Sequence, residues 1–221
     1  MLERNVLPSL AQVVRALSVL FWAIPGLLLT STACALDLAW RQFGYAPPVV
    51  SALALVYGLA QFRHFQPDEK IWVASRHRGQ LLALIVLALS PTPIWWSRDP
   101  QEAFFNQGML CLEFAGIFFL IAINDVLLRL VAMLPDQTLR TETLYFTRLN
   151  VRFLILILFG LGLWVATSLS MTLPWWILPV RHFFEFVQPW LLVMSLILPV
   201  ALTMTLLWKT KEAILHSVFR S

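Results

Sequence analysis

The chain has 221 residues, 59% of them hydrophobic and only 13% charged, with a net charge of +4 and a mean hydropathy of +0.76. A soluble domain carries about a quarter charged residues, so this chain lacks the polar surface to face water on every side, and a bilayer is its expected solvent. Its sixteen Lys and Arg residues are dealt out between apolar segments rather than gathered in one run, which argues against nucleic acid as the partner.

A helix crossing the hydrocarbon layer needs about 20 mostly apolar residues. Six stretches meet or approach that length: 16–36, 47–62, 80–96, 104–124, 153–173 and 187–208. The expected fold is an all-α integral membrane protein, one transmembrane domain over residues 1–221 built as a bundle of six transmembrane helices.

The first stretch, "RALSVLFWAIPGLLLTSTACALD", has a basic start, a Pro25-Gly26 break and a small-residue ending at Ala33-Cys34-Ala35, which are features of a secretory signal. Its apolar run is longer than a signal usually has, and it is read as a retained first helix. The second stretch is short. After it comes "QPDEKIWVASRHRG", Gln66 to Gly79, where acids and bases crowd together. Ile71, Trp72 and Val73 are expected to dip into the headgroup layer, with Lys70, Trp72, Arg76 and Arg78 as contacts for anionic lipid or for a partner. A short amphipathic helix docking a cytoplasmic protein is the sharper alternative.

The third stretch ends in "SPTPIWW", where Pro91 and Pro93 must break the helical hydrogen-bond ladder. The fourth carries Glu113, the one ionisable residue near the centre of an expected span, and such residues mark function by default. Asn106 lies seven residues before it and Asn124 eleven after. At about 100° per residue both offsets fall within about 20° of whole turns, so the three are expected to form one polar stripe, with Gly108 and Gly116 beside it for close packing. No Lys, Arg or His falls in the core of another span to pair with Glu113, and hydroxyls such as Ser31, Ser90 and Thr203 are its expected partners. The stripe reads either as a site that handles an ion or substrate, or as interhelical glue. Near the inner end of the same helix, Asp125 and Arg129 are spaced for an i,i+4 ion pair.

Between the fifth and sixth stretches, "PWWILPVRHFFEF" at 174–186 is too broken by proline to span and is expected to be interfacial or re-entrant. Pro199 interrupts the sixth. Proline-broken spans form midplane sites in many transporters, and they also occur widely in membrane helices.

With the N-terminus placed inside, thirteen Lys and Arg residues fall on inner segments, and Arg41, Arg98 and Arg181 fall outside. That bias puts both termini in the cytoplasm. Trp40, Trp95, Trp96, Trp175, Trp176 and Trp190 fall at the expected outer ends, and Trp72 and Trp208 near the inner face, as suits a ring with one apolar and one wet edge. Glu69, Glu142 and Glu212 each precede a branched aliphatic residue by two positions at spacings near 70 residues. Three tandem helical hairpins are one reading of this, and chance likeness of short juxtamembrane segments is the other.

Cys34 and Cys111 lie in apolar runs without metal-ligand spacing and are read as small core residues. No zinc-protease, serine-hydrolase, P-loop or dinucleotide motif is present, and no cofactor is expected. Three functions are in contention: a small-solute permease or the membrane subunit of a transporter, a non-catalytic scaffold or assembly subunit bound to another membrane protein, and a membrane-embedded enzyme. The expected setting is a bacterial cytoplasmic (inner) membrane with anionic lipid on its inner face.

Overall fold

The computed structural model describes residues 3–36, 43–133, 137–169 and 178–219. Among these the chain forms helices and no strands: α1 (Glu3–Ala35), α2 (Ala46–Ala60) followed by a 3-10 turn (Gln61–His64), α3 (Lys70–Leu89), α4 (Thr92–Arg98), α5 (Ala103–Ala132), α6 (Gln137–Leu169) and α7 (Leu178–Phe219). Helix is what an apolar solvent demands, because each backbone N–H and C=O must find its partner within the same segment.

Four helical stretches are long and apolar enough to cross a membrane: Leu10–Ala35, Lys70–Arg98, Ala103–Ala132 and Arg140–Ala166. They correspond to the first, third, fourth and fifth apolar stretches of the sequence. The second is α2, whose 15 residues reach about 22 Å at 1.5 Å per residue. The sixth falls within α7, whose side chains are described over 195–216. Of the stretch 174–186, residues 174–177 lie outside the described residues and Leu178 opens α7.

The helices run past the apolar stretches into their charged flanks. α3 starts at Lys70, so "KIWVASRHRG" is its first half rather than a separate loop. Its other end follows the prolines. Pro91 cannot donate a backbone hydrogen bond, and α3 stops at Leu89. Hydroxyls take up the carbonyls left there: Ser90 Oγ donates to Leu87 O at 2.7 Å and Thr92 Oγ1 to Leu89 O at 2.7 Å, before α4 restarts with proline in its first turn. Pro25 and Pro199 instead lie inside continuous helices.

Successive long helices run antiparallel. Between α1 and α2, Leu20 meets Gly58 while Gly26 and Thr30 meet Ser51. Between α3–α4 and α5, Ser75 meets Asp125 while Thr92 meets Gly108. Between α6 and α7, Glu142 meets Lys209 while Asn150 meets Thr203. In each pair the numbers rise on one helix as they fall on the other. α2 also packs on α3, α5 on α6, and α7 returns to α1, where the rings of Phe21 and Trp208 lie 5.7 Å apart. One apolar core, including Leu17, Leu20, Leu55, Leu59, Ile123, Leu127 and Leu154, runs through the bundle.

This alternation brings Arg63, Lys70, Arg76, Arg78, Arg129, Arg140 and Lys209 to one end. The turn that leads into α3 there is tied down by Trp72. Its ring is fully buried, its Nε1 donates to Phe65 O at 2.8 Å, and the rings of Phe62 and Phe65 meet it edge-on. Gln66, next in the turn, has φ of 43°, a left-handed conformation that side chains rarely adopt. The Asp125–Arg129 pair forms at 3.6 Å. Glu69, Glu142 and Glu212 occupy different helical positions: before α3, in the second turn of α6 and near the end of α7. Cys34 is buried, whereas Cys111 is exposed on the outside of α5.

Candidate functional site: a cavity at Glu113

α5 presents Glu113 to a partly open cavity of about 580 Å³ lined by the second half of α1, the first half of α5, Leu55 of α2, Val86 of α3, Trp96 of α4, Trp164 of α6, and Leu196 and Val200 of α7. Most of the wall is apolar, including Ile24, Leu27, Leu28, Leu55, Ile117 and Leu120. Polar groups enter at few points, chiefly Ser31, Thr32, Asn106 and Glu113, and among the described residues no basic side chain lines it. Glu113 Oε2 and Ser31 Oγ are both buried with no hydrogen-bond partner among the described residues. Native proteins rarely leave such atoms unsatisfied, since each costs about 1–3 kcal/mol. Two of them lining one cavity describe a site with hydrogen-bonding capacity to offer a ligand.

The glycines beside Glu113 do different work. A Cβ on Gly108 would lie 3.2 Å from Thr92 Cγ2, so this glycine lets α4 approach α5. A Cβ on Gly116 would meet nothing within 4 Å, because Gly116 borders the cavity.

The three residues expected on one stripe of α5 separate along the helix. Asn106 and Glu113 line the same cavity. Asn106 sits at its exposed margin, where Oδ1 accepts from Trp96 Nε1 at 2.7 Å and Nδ2 donates to Pro100 O at 2.9 Å, clasping the α4–α5 connection. Asn124 is fully buried elsewhere, in a polar cluster shared by α5, α6 and α7. There Asn124 Nδ2 donates to Leu120 O at 2.7 Å and to Thr203 Oγ1 at 3.1 Å. Asn150 Nδ2 donates to Asn124 Oδ1 at 3.2 Å, to Thr203 Oγ1 at 2.9 Å and to Pro199 O at 3.2 Å. Thr203 Oγ1 donates to Pro199 O at 2.8 Å, so this hydroxyl accepts twice and donates once, its full capacity.

Asn150 escapes a reading based on apolar runs, because Arg148 and Arg152 flank it and place it in a charged segment. The signal that reveals it is helical spacing: Thr143, Thr147 and Asn150 recur at four and three residues, and all three are buried.

The charged stretch before Gly79 divides in the same way. Lys70 and Arg78 are exposed, while Trp72 and Arg76 turn into the protein. The chain matches no protein-family model, no curated protein and no solved structure.

Proposed function

We propose that the chain is a six-span membrane protein, both termini cytoplasmic, that binds and moves a small, largely apolar solute carrying one hydrogen-bonding group. It acts as a permease or as the membrane subunit of a transporter in a bacterial cytoplasmic membrane. The observation that carries this reading is Glu113 on the wall of a roomy cavity, with its Oε2 and Ser31 Oγ both unsatisfied. A carboxyl acting only as glue would be expected against a partner on a neighbouring helix, as Asn124 is, and one serving a scaffold would face outward on a small-residue surface. The wall's apolar character favours a solute whose bulk is hydrocarbon-like over a bare ion. The break between α3 and α4 supports movement, since it separates Trp96 from the rest of that span. At the opposite, basic end, exposed Lys70 and Arg78 are suited to anionic headgroups of the cytoplasmic leaflet.

The test is mass spectrometry of small molecules retained by protein purified in mild detergent, comparing wild type with Glu113→Gln and Gly116→Leu. The reading expects one amphipathic species retained by wild type and reduced in both variants. Equal retention by all three proteins, each correctly folded, would remove the cavity from the function.

A further inference from the structure

The hydrogen-bonding capacity left open in the Glu113 cavity is narrow in kind. Asn106 is spent at the margin, where it accepts from Trp96 and donates to Pro100 O. Ser31 is not. Hydroxyls on these helices commonly donate to a carbonyl one turn earlier, as Ser18 does to Val14 O at 2.8 Å, Thr30 to Gly26 O at 2.7 Å and Thr205 to Ala201 O at 2.9 Å. Ser31, beside Thr30 and on the cavity wall, makes no such bond among the described residues. Glu113 Oε2 is in the same condition. The wall around the two holds the rings of Trp96, Phe119 and Trp164, and no described Lys, Arg or His.

These groups set both the charge and the hydrogen-bonding sense of what binds there. A carboxylate only accepts hydrogen bonds, and a hydroxyl held off the backbone is able to accept as well. An anionic solute would bring its charge up to Glu113 with no cation on the wall to offset it. An ammonium group has N–H donors for a carboxylate and a hydroxyl alike, and its charge compensates the burial of the carboxylate. Aromatic rings in the wall attract a cation rather than an anion, and the apolar remainder takes hydrocarbon. We infer that the solute is a lipophilic primary or secondary amine, with its ammonium hydrogen-bonded to Glu113 and Ser31 and its hydrocarbon body against the apolar wall; this rests on the cavity being the solute site.

The experiment is isothermal titration calorimetry of the full chain in a neutral maltoside detergent. Its probes share one hydrocarbon cage and differ in the polar group: adamantylamine, adamantanol and adamantane carboxylate. Gly116→Leu, which fills the cavity, gives the background from uptake by detergent. Wild type is expected to bind the amine about tenfold tighter than the alcohol, with the carboxylate weakest. Glu113→Gln should lower amine affinity about tenfold, to the level of the alcohol, and Ser31→Ala should lower it about threefold. Glu102→Gln removes an exposed acid just before α5 and should change it less than about twofold. Equal affinity for amine and alcohol, both lost in Gly116→Leu, overturns the amine and leaves the cavity as the solute site. Carboxylate bound ahead of the amine, or amine affinity lowered as much by Glu102→Gln as by Glu113→Gln, overturns it as well. If wild type binds none of the probes above the Gly116→Leu background, the amine and the cavity reading fall together.

Discussion

Asn150 reaches across the bundle to Asn124, amide nitrogen to amide oxygen at 3.2 Å, and both side chains are fully buried. Inside a membrane such a pair holds helices together by the scarcity of any other partner. Replacing either residue by Ala is expected to lower stability by about 1–2 kcal/mol. Because the two share Thr203, the double variant should lose less than the two single losses combined. Denaturant unfolding in detergent measures this, and strictly additive losses would show the contact to be incidental.

Gly58 meets α1 with no room to spare. A Cβ there would lie 2.9 Å from Leu20 Cγ, whereas one on Gly116 meets nothing within 4 Å. Gly58→Val should therefore cost about 1–3 kcal/mol, and Gly116→Ala should be nearly neutral. Thermal midpoints of the two variants compare the sites directly; a reversed order would contradict the α1–α2 packing.

Trp72 serves the turn through both its ring and its N–H. Trp72→Phe keeps most of the ring area and loses the bond to Phe65 O, an expected cost of about 1 kcal/mol. Trp72→Ala should cost about 3–5 kcal/mol. A tryptophan merely resting among headgroups would show little difference between these variants, so the gap between them is the measurement that matters.

Orientation is open to labelling. In a Cys34→Ser, Cys111→Ser background, Glu212→Cys near the end of α7 should react with a membrane-impermeant maleimide only in inverted vesicles. Gln101→Cys, between α4 and α5, should react only in intact cells. Labelling of both positions from one side would contradict an alternating bundle oriented by its charge.

Much of this architecture is legible in the chain because hydrophobic runs and helix length answer to the same bilayer. Pro91 announces the break after Leu89 for a purely local reason, the missing N–H. The Asp125–Arg129 pair is also local, set by four residues on one helix. What the linear reading does not resolve depends on neighbours. Asn106, Glu113 and Asn124 share an angular position on α5, but the helices opposite change along its length: α4 at Asn106, a cavity at Glu113, and α6 with α7 at Asn124. Trp72 has the composition of an interfacial residue, and only the fold of Phe62 and Phe65 around it takes it out of that role. Arg76 and Arg78 are two positions apart in one charged stretch, yet about 200° of helical rotation sends one inward and the other to the surface.

The antiparallel succession of helices also bears on the order in which the bundle assembles. α1 with α2, and α3 with α5, are neighbours along the chain as well as in space, so each can close as soon as its second member is made. When α6 follows, Asn150 can find Asn124, but Thr203 and the Pro199 carbonyl belong to α7. The contact of Phe21 with Trp208 likewise joins segments from opposite ends of the chain. α7 is thus the closing element, and a chain halted before it would leave the two asparagines holding each other with part of their hydrogen-bonding capacity still unmet.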